Sequence, residues 1–317
     1  MALDQNNIQK GLRGRDFICF KDFTTEEILE MLRVAKLLKD QQKRGIPHHI
    51  LAGKTLGMIF TKSSTRTRVS FEVGMYQLGG QGLFLSSNDI QLGRGETISD
   101  TAQVLSRYLD GIMIRTFAQS DVDQLAEGAS IPVINGLTDL LHPCQVLADL
   151  QTIQEHKGQL KGLKMAYVGD GNNMAHSLMI GGAKVGMDVA IASPKGYLPD
   201  AEIVKLAQEA GADTGASILV TEDALEAVAG ADVVYTDVWA SMGQEAEQAK
   251  REKDFADYQV NNQLVAKAKS DYIFLHCLPA HRGEEVTAQV IDGPNSVIFD
   301  EAENRLHAQK AIMALLM

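Results

Sequence analysis

Residues 54–78 read Lys-Thr-Leu-Gly-Met-Ile-Phe-Thr-Lys-Ser-Ser-Thr-Arg-Thr-Arg-Val-Ser-Phe-Glu-Val-Gly-Met-Tyr-Gln-Leu. The run ending at Phe60 is short and apolar without alternation, the pattern of a parallel strand covered on both faces. From Thr65 to Leu78 apolar residues recur at helical spacing, so residues 61–64 form a strand-to-helix turn. A helix N-terminus presents unpaired N–H groups and the positive end of the helix dipole, which makes it an anion site. This turn adds the hydroxyls of Ser63, Ser64, Thr65 and Thr67 and the guanidinium groups of Arg66 and Arg68. Two basic residues there oppose the dipole, whereas an arginine fork matches two oxygens of a phosphate. A bound phosphate or carboxylate is therefore favoured over a solvated helix start.

The same strand–helix grammar continues outward. Apolar runs at 82–86, 111–115 and 131–134 read as strands, and later ones fall at 164–169, 187–192, 217–221, 232–236 and 272–277. Helical patterns occupy 25–44, 98–109, 200–211 and 222–229, the first opened by a Thr24-x-x-Glu27 capping box. Alternation of this kind indicates α/β architecture with parallel sheets. It breaks once, at about 136–163, where a long helix from Pro143 to His156 precedes a polar turn and a fresh strand. The expected fold is two similar domains, each a parallel sheet flanked by helices, joined by interdomain helices. Residues 1–148 form the first and 149–300 the second, with the helix 301–317 expected to pack back on the first.

A chain of 317 residues exceeds the usual single-core limit, in keeping with two domains. The formal net charge of −11 argues against nucleic acid or an anionic membrane as the main partner, since either needs a broad basic face. A small anionic substrate needs only a local positive cluster. Cys19, Cys144 and Cys277 are odd in number and far apart, without C-x-x-C, so neither a disulfide framework nor a cysteine metal site is expected. The first residues lack a signal-peptide pattern and no apolar run approaches about 18 residues. A soluble, cytoplasmic protein is the expectation.

In open α/β sheets ligands lie beyond the carboxyl ends of the strands, and several polar groups fall there. Arg115 ends the strand Gly-Ile-Met-Ile-Arg and can add a guanidinium to the anion site, or serve as an ordinary surface arginine. His142-Pro-Cys-Gln145 opens the long helix; Pro143 suits a first turn, while His142 and Gln145 can face one point and address a carbonyl. Gly169-Asp-Gly-Asn-Asn173 resembles a dinucleotide turn, but Met174 stands where a third glycine is required and no acid ends the next strand. Asn173 is instead a candidate for a polar group of a substrate. Asp237, after the strand Val-Val-Tyr-Thr, either caps the next helix or holds a cationic amine, with the glycine-bearing loop through Ser241 and Met242 beside it. Cys277 ends the strand Tyr-Ile-Phe-Leu-His and is either an inert core thiol or part of the site. No histidine pair has metal-ligand spacing and no Walker A sequence occurs, so neither metal nor cofactor is expected.

Taken together, these segments resemble the aspartate/ornithine carbamoyltransferases, and within them the ornithine-using branch. Ser64-Thr-Arg-Thr67 is similar to the superfamily's Ser-x-Arg-Thr signature and His142–Gln145 to its His-Pro-x-Gln. Asp237-Val-Trp-Ala-Ser-Met-Gly and His276-Cys-Leu-Pro resemble the segments that set the acceptor. The resemblance implies that Ser64, Thr65, Arg66, Thr67 and Arg115 hold phosphate, and that His142 and Gln145 address the carbamoyl group. It implies further carbamoyl phosphate contacts from Arg305, Cys277 and Leu278, and from Gln91 reaching a neighbouring subunit's site. Asn173, Asp237, Ser241 and Met242 match ornithine-binding positions. The implied fold has two α/β domains with the site in the cleft, and the implied catalytic unit is a trimer.

The implied reaction is attack of the neutral δ-amine of L-ornithine on carbamoyl phosphate, giving L-citrulline and phosphate without a covalent enzyme intermediate, in the direction of arginine biosynthesis. Arg66, Arg115, His142, Asp237 and Cys277 are the expected catalytic set. The competing readings are a sister transferase acting on another amine, a nicotinamide dehydrogenase, and a silent ligand-binding subunit.

Overall fold

The computed structural model describes residues 7–91, 95–241 and 243–317. Its internal contacts divide the chain into two units, residues 1–151 with 303–317, and residues 152–302. In the first unit β1 (Thr55–Phe60), β2 (Gln81–Ser86), β3 (Gly111–Arg115) and β4 (Val133–Leu137) form one parallel sheet in the order β2-β1-β3-β4. Its helices are α1 (Asn7–Leu12), α2 (Thr25–Lys43), α3 (Thr65–Gln77), α4 (Ile98–Leu105) and α5 (Gln119–Gly128). Helix α6 (Pro143–Lys157) carries the chain out of this unit.

The second unit contains β5 (Lys164–Val168), β6 (Asp188–Ala192), β7 (Ile218–Thr221), β8 (Val233–Thr236) and β9 (Ile273–His276), parallel in the order β7-β6-β5-β8-β9. Around them lie α7 (Asn173–Lys184), α8 (Ala201–Thr214), α9 (Ala224–Val228), α10 (Gln248–Asp254), α11 (Asn262–Val265) and α12 (Ala288–Ile291). Helix α13 (Ile298–Leu316) returns the chain to the first unit from Glu303 onward. The α/β class with parallel sheets is thus the one the strand–helix alternation predicts. Among the described residues no helix is long and apolar enough to cross a membrane.

Each sheet reverses its strand order once. The reversal falls between β1 and β3 in the first, and between β5 and β8 in the second. At such a point successive connections leave in opposite directions and open a crevice at the carboxyl ends of the strands. Phe60 is level with Arg115 across β1 and β3, and Thr236 with His276 across β8 and β9. Residues following these positions therefore share one rim of each sheet. Beneath the first rim Ile59, Ile112, Ile114, Val122 and Leu125 pack together; beneath the second, Val168, Val234, Phe274, Val228 and Val260 do so.

Local chemistry explains most boundaries. The Thr24–Glu27 box forms, with Glu27 N–H donating to Thr24 Oγ1 at 3.2 Å and Thr24 N–H to Glu27 Oε2 at 2.9 Å. The helix expected over 98–109 stops at Leu105. There Ser106 Oγ donates to Ala102 O at 2.7 Å, and the next two N–H groups bond three residues back, tightening the chain into a turn. The helix expected from 301 begins three residues sooner, at Ile298.

The strand expected at 131–134 is shifted to Val133–Leu137. Asn135-Gly136 looks like a turn, yet Asn135 N–H donates to Phe17 O at 2.9 Å and its Nδ2 to Ile18 O at 3.2 Å. The segment at Phe17 thus pairs along β4 and keeps it extended. Pairing shifts between Ile114 and Arg115, which lie opposite Asn135 and Leu137, so Gly136 is a bulge beside the end of β3.

Gly171, in the turn after β5, is required by close approach. A Cβ there would lie 2.3 Å from Pro199 N and 2.5 Å from Leu198 C, both backbone atoms. Gly171→Ala is expected to cost about 1–3 kcal/mol through overpacking. Urea unfolding would show it as a lower midpoint, and an unchanged midpoint would refute the steric reading.

Candidate active site

The rim of the first sheet gathers positive charge around a buried histidine. Ser64 caps α3 by accepting Thr67 N–H at 3.1 Å, which fixes the start of the helix directly after the strand-to-helix turn. Thr65 is exposed, Arg66 half-buried and Thr67 buried. Arg115 is buried at the end of β3, and Thr61 N–H donates to its carbonyl at 2.9 Å. Arg305, on α13, is 3% exposed. Its Nη1 donates to Gln145 Oε1 at 2.7 Å and its Nη2 to Thr67 Oγ1 at 3.2 Å. Gln145 in turn donates to Asp149 Oδ1, one turn along α6, at 2.8 Å.

His142 is buried among these groups. Burial, followed by the charges of Arg305, Arg115 and Arg66, holds its imidazole well below the ordinary histidine range. A ring so placed is neutral at pH 7 and suits hydrogen bonding to a carbonyl rather than repelling an arginine. Cys144 lies next in sequence but not in chemistry. Its thiol donates to Asn135 O at 3.2 Å, and burial pushes its pKa up to about 12, so it is no nucleophile.

Arg68 stands apart in role from Arg66. It pairs with Glu72 at 3.4 Å and lies over the Phe84 ring at 3.8 Å, which accounts for it without a ligand. Lys62, which sequence reasoning passed over, is buried, ion-paired with Asp139 and 4.2 Å from the Phe117 ring centroid. It joins the turn before α3 to the turn before α6, and its position one residue before Ser63 was the available signal. Gln91 is exposed on the loop after β2, with no hydrogen bond into this network among the described residues.

The rim of the second sheet gathers the remaining candidates about one carboxylate. Asp237, buried at the end of β8, accepts Val238 N–H at 2.8 Å and the Cys277 thiol at 3.1 Å on Oδ1. Its Oδ2 accepts Asn172 Nδ2 at 3.2 Å. Asp237 therefore does not act as a helix cap, and Cys277 is tied to it rather than to the core. Asn173 is the first residue of α7, half-buried. Ser241 lies in a turn in which its N–H donates to Gln244 Oε1 at 3.0 Å and Gln244 N–H donates to Ser241 O at 2.9 Å. Met242 lies outside the described residues.

Buried polar groups brace both turns. Arg251 donates to Asp170 Oδ2 at 2.7 Å, to Trp239 O at 2.8 Å and to Glu247 Oε2 at 2.9 Å, joining the turn after β5 to the loop after β8. Under Cys277, His276 Nδ1 accepts Leu278 N–H at 2.9 Å, so the ring proton sits on Nε2 and is donated to Glu285 Oε1 at 3.0 Å. Glu301 accepts His276 N–H at 2.8 Å and the Tyr235 hydroxyl at 3.0 Å. Leu278, with φ of 58°, is held in the left-handed region that a leucine seldom adopts.

Ligand atoms of Asp237, His276 and Cys277 come within 4.8 Å of one another. Both ring nitrogens of His276 are already committed to Leu278 and Glu285, which leaves this trio without an imidazole lone pair for a metal. Asn172, Glu285, Glu301 and Arg251 escaped sequence reasoning. Only the Asn-Asn pair carried a local signal; the others act from distant segments.

A pH dependence of stability follows from His142. Above about pH 6.5 its ring is neutral in folded and unfolded chains alike. Below that, the unfolded chain takes up a proton that the folded chain refuses. Stability is then lost as pH falls from about 6.5 toward the lowered folded pKa, by up to about 1.4 kcal/mol per pH unit. His307, lowered to about 4 mainly by burial, adds to the same loss. Urea midpoints at pH 7 and pH 5 should fall less steeply in His142→Gln than in the parent, and equal slopes would exclude a buried neutral His142.

Residues 15–155 match the family model described as the carbamoyl-P binding domain of aspartate/ornithine carbamoyltransferase, and residues 161–316 match its Asp/Orn binding domain. The chain is 65% identical over 309 residues to an ornithine carbamoyltransferase of Oceanobacillus iheyensis, covering 98% of this chain and 96% of the relative. It is 60% identical over 306 residues to "Ornithine carbamoyltransferase, anabolic" of Pyrococcus furiosus, covering 96% and 97%. A solved structure of ornithine carbamoyltransferase from Pyrococcus furiosus superposes with a TM-score of 0.94 at 60% identity, covering 96% of this chain and 98% of that one. One from Thermus thermophilus does so with 0.84 at 40% identity, covering 95% and 99%. With both domain descriptions matched over nearly its whole length, the chain belongs to the aspartate/ornithine carbamoyltransferase family.

Proposed function

We propose that the protein is an ornithine carbamoyltransferase, transferring the carbamoyl group of carbamoyl phosphate to the δ-amine of L-ornithine to give L-citrulline and phosphate. The observation that carries this is the ring of Arg66, Arg115 and Arg305 about a buried, neutral His142. Such a group of charges suits a phosphate beside a polarised carbonyl. The capped N-terminus of α3 adds backbone donors from the same side. Asp237 supplies what the amino acid needs in the second unit, a buried carboxylate for an ammonium group. It also disfavours aspartate as acceptor, because a second carboxylate would be repelled.

The proposed chemistry is direct. Phosphate is already a good leaving group, so the attacking amine meets the carbamoyl carbon without an enzyme nucleophile or a cofactor. Arg66 and the α3 N–H groups stabilise charge on the departing phosphate; His142, Arg115 and Thr67 stabilise charge on the carbonyl oxygen. Each charge-assisted hydrogen bond contributes roughly 1.5–3 kcal/mol. The δ-amine reacts in its neutral form, and we assign Asp237 to the α-amino group and Cys277 to the neighbourhood of the δ-amine. Asn173, Ser241 and Met242 complete the acceptor site; Gln145, Leu278 and Gln91 complete the donor site, Gln91 for a neighbouring subunit.

A biosynthetic role is supported by the word "anabolic" in the Pyrococcus furiosus relative's name. A reducing, cytoplasmic setting is supported by three cysteines that are not joined in disulfides. Self-association is supported by an apolar face in which Val69, Val73 and Tyr76 line one side of α3, with Leu83 and Phe84 exposed on the β2 strand it packs against, and the family resemblance makes the assembly a trimer.

Carbamoylation of ornithine, putrescine, acetylornithine and aspartate, compared colorimetrically, should give a product with ornithine and little with the others. Arg66→Ala should lower turnover roughly 10²-fold or more. A rate near the parent's would remove the phosphate assignment, and preference for another amine would overturn the acceptor. Sedimentation should show three chain masses, falling to one in Tyr76→Asp; a monomeric parent would contradict the trimer.

A further inference from the structure

Asn172 and Asn173 stand side by side after β5, and the carboxamide of the first is held at both its oxygen and its nitrogen. Asn172 Oδ1 accepts Met174 N–H at 2.9 Å and Ala175 N–H at 3.4 Å, capping α7, and the Tyr167 hydroxyl donates to it at 3.4 Å. Burial raises the Tyr167 pKa well above the ordinary phenol range, so the hydroxyl keeps its proton to donate. With three donors on the oxygen side, the orientation of the carboxamide is settled, and Nδ2 is the atom that faces Asp237.

An ionised carboxylate has about four lone-pair sites. Val238 N–H and the Cys277 thiol take the two on Asp237 Oδ1, and Asn172 takes one on Oδ2. Among the described residues the remaining site lies on Oδ2, the oxygen that Asn172 orients. The helix cap thus reaches through one amide group to the carboxylate assigned to the acceptor.

We propose that Asn172 is a positioning residue for the acceptor. It locks the Asp237 carboxylate so that Oδ2 turns a single open lone pair toward the ammonium group of the amino acid. The inference rests on the reading of Asp237 as the ammonium holder. It separates Asn172 from a mere helix cap, because a cap needs only the oxygen while positioning needs the nitrogen.

Two variants separate these roles. Asn172→Asp keeps an equivalent capping oxygen but turns a second carboxylate oxygen toward Asp237. Asn172→Ser keeps a capping acceptor with no donor to reach Asp237. Both are compared with the parent in steady-state kinetics from pH 6 to 9, in urea unfolding, and in ornithine titrations followed by the fluorescence of Trp239, the one tryptophan of the chain.

Asn172→Ser should raise the KM and Kd for ornithine about tenfold or more, the scale of one lost charge-assisted bond. Its KM for carbamoyl phosphate and its urea midpoint should stay near the parent's. Asn172→Asp should weaken ornithine further and add an acid limb to kcat/KM for ornithine, because neighbouring carboxylates raise one pKa. Unchanged ornithine constants in both variants would overturn the proposal. So would constants for both substrates shifting together with a lowered urea midpoint. A parent that carbamoylates none of the amines would defeat the functional reading instead, and the Trp239 titrations would still judge Asn172.

Discussion

A guanidinium taken out of water has to find a partner for its donors, and Arg305 does so within the first unit. Its charge is fixed to Gln145 at the start of α6 and to Thr67 in the first turn of α3. Loss of either acceptor would leave a buried charge under-satisfied, which costs several kcal/mol where an exposed pair would cost almost nothing. The turn after β1, the start of α6 and the last helix are therefore held to one another by the same cation. His142 sits inside this frame, where burial first and the charges of Arg305, Arg115 and Arg66 after it hold its ring in the neutral form.

The second unit solves the opposite problem. Its rim holds a buried anion, Asp237, and surrounds it with neutral donors: a backbone N–H, a thiol and a carboxamide. No arginine is among these partners, so no ion pair with a cation occupies the carboxylate, which is the state the proposed ammonium-holding role needs. The arginine of this region, Arg251, is spent on Asp170, Glu247 and a backbone carbonyl. The clustered guanidinium groups and the buried carboxylate thus lie on different sheets, each at its strand-order reversal.

Much of this was legible in the sequence where function and local structure coincide. Lys54–Leu78 announces its strand, its turn and its charges within one stretch, and the class of fold follows from repeating that grammar. Legibility failed where a distant segment decides. The strand expected at 131–134 stops short of Asn135 because nothing nearby shows that Phe17 will pair with it. Glu285 and Glu301 look like surface acids, yet both are fully buried under the Cys277 turn. The Asn-Asn pair was visible, but which of the two faces a carboxylate depends on where β8 ends, and spacing along the chain does not encode that.

The route of the chain has a temporal consequence. Arg305 is separated from Gln145 by 160 residues and from Thr67 by 238, and the whole second unit is translated in between. A growing polypeptide therefore displays the α3 turn and His142 long before the cation that completes them emerges from the ribosome. Until then the acceptors on Gln145 and Thr67 lack that guanidinium, and the contact that joins them to it is of long sequence separation, which adds closure entropy to assembling the first unit. The arginine cluster about His142 is accordingly a late product of synthesis, and an interrupted chain that stops short of α13 lacks Arg305 however well its sheets have formed.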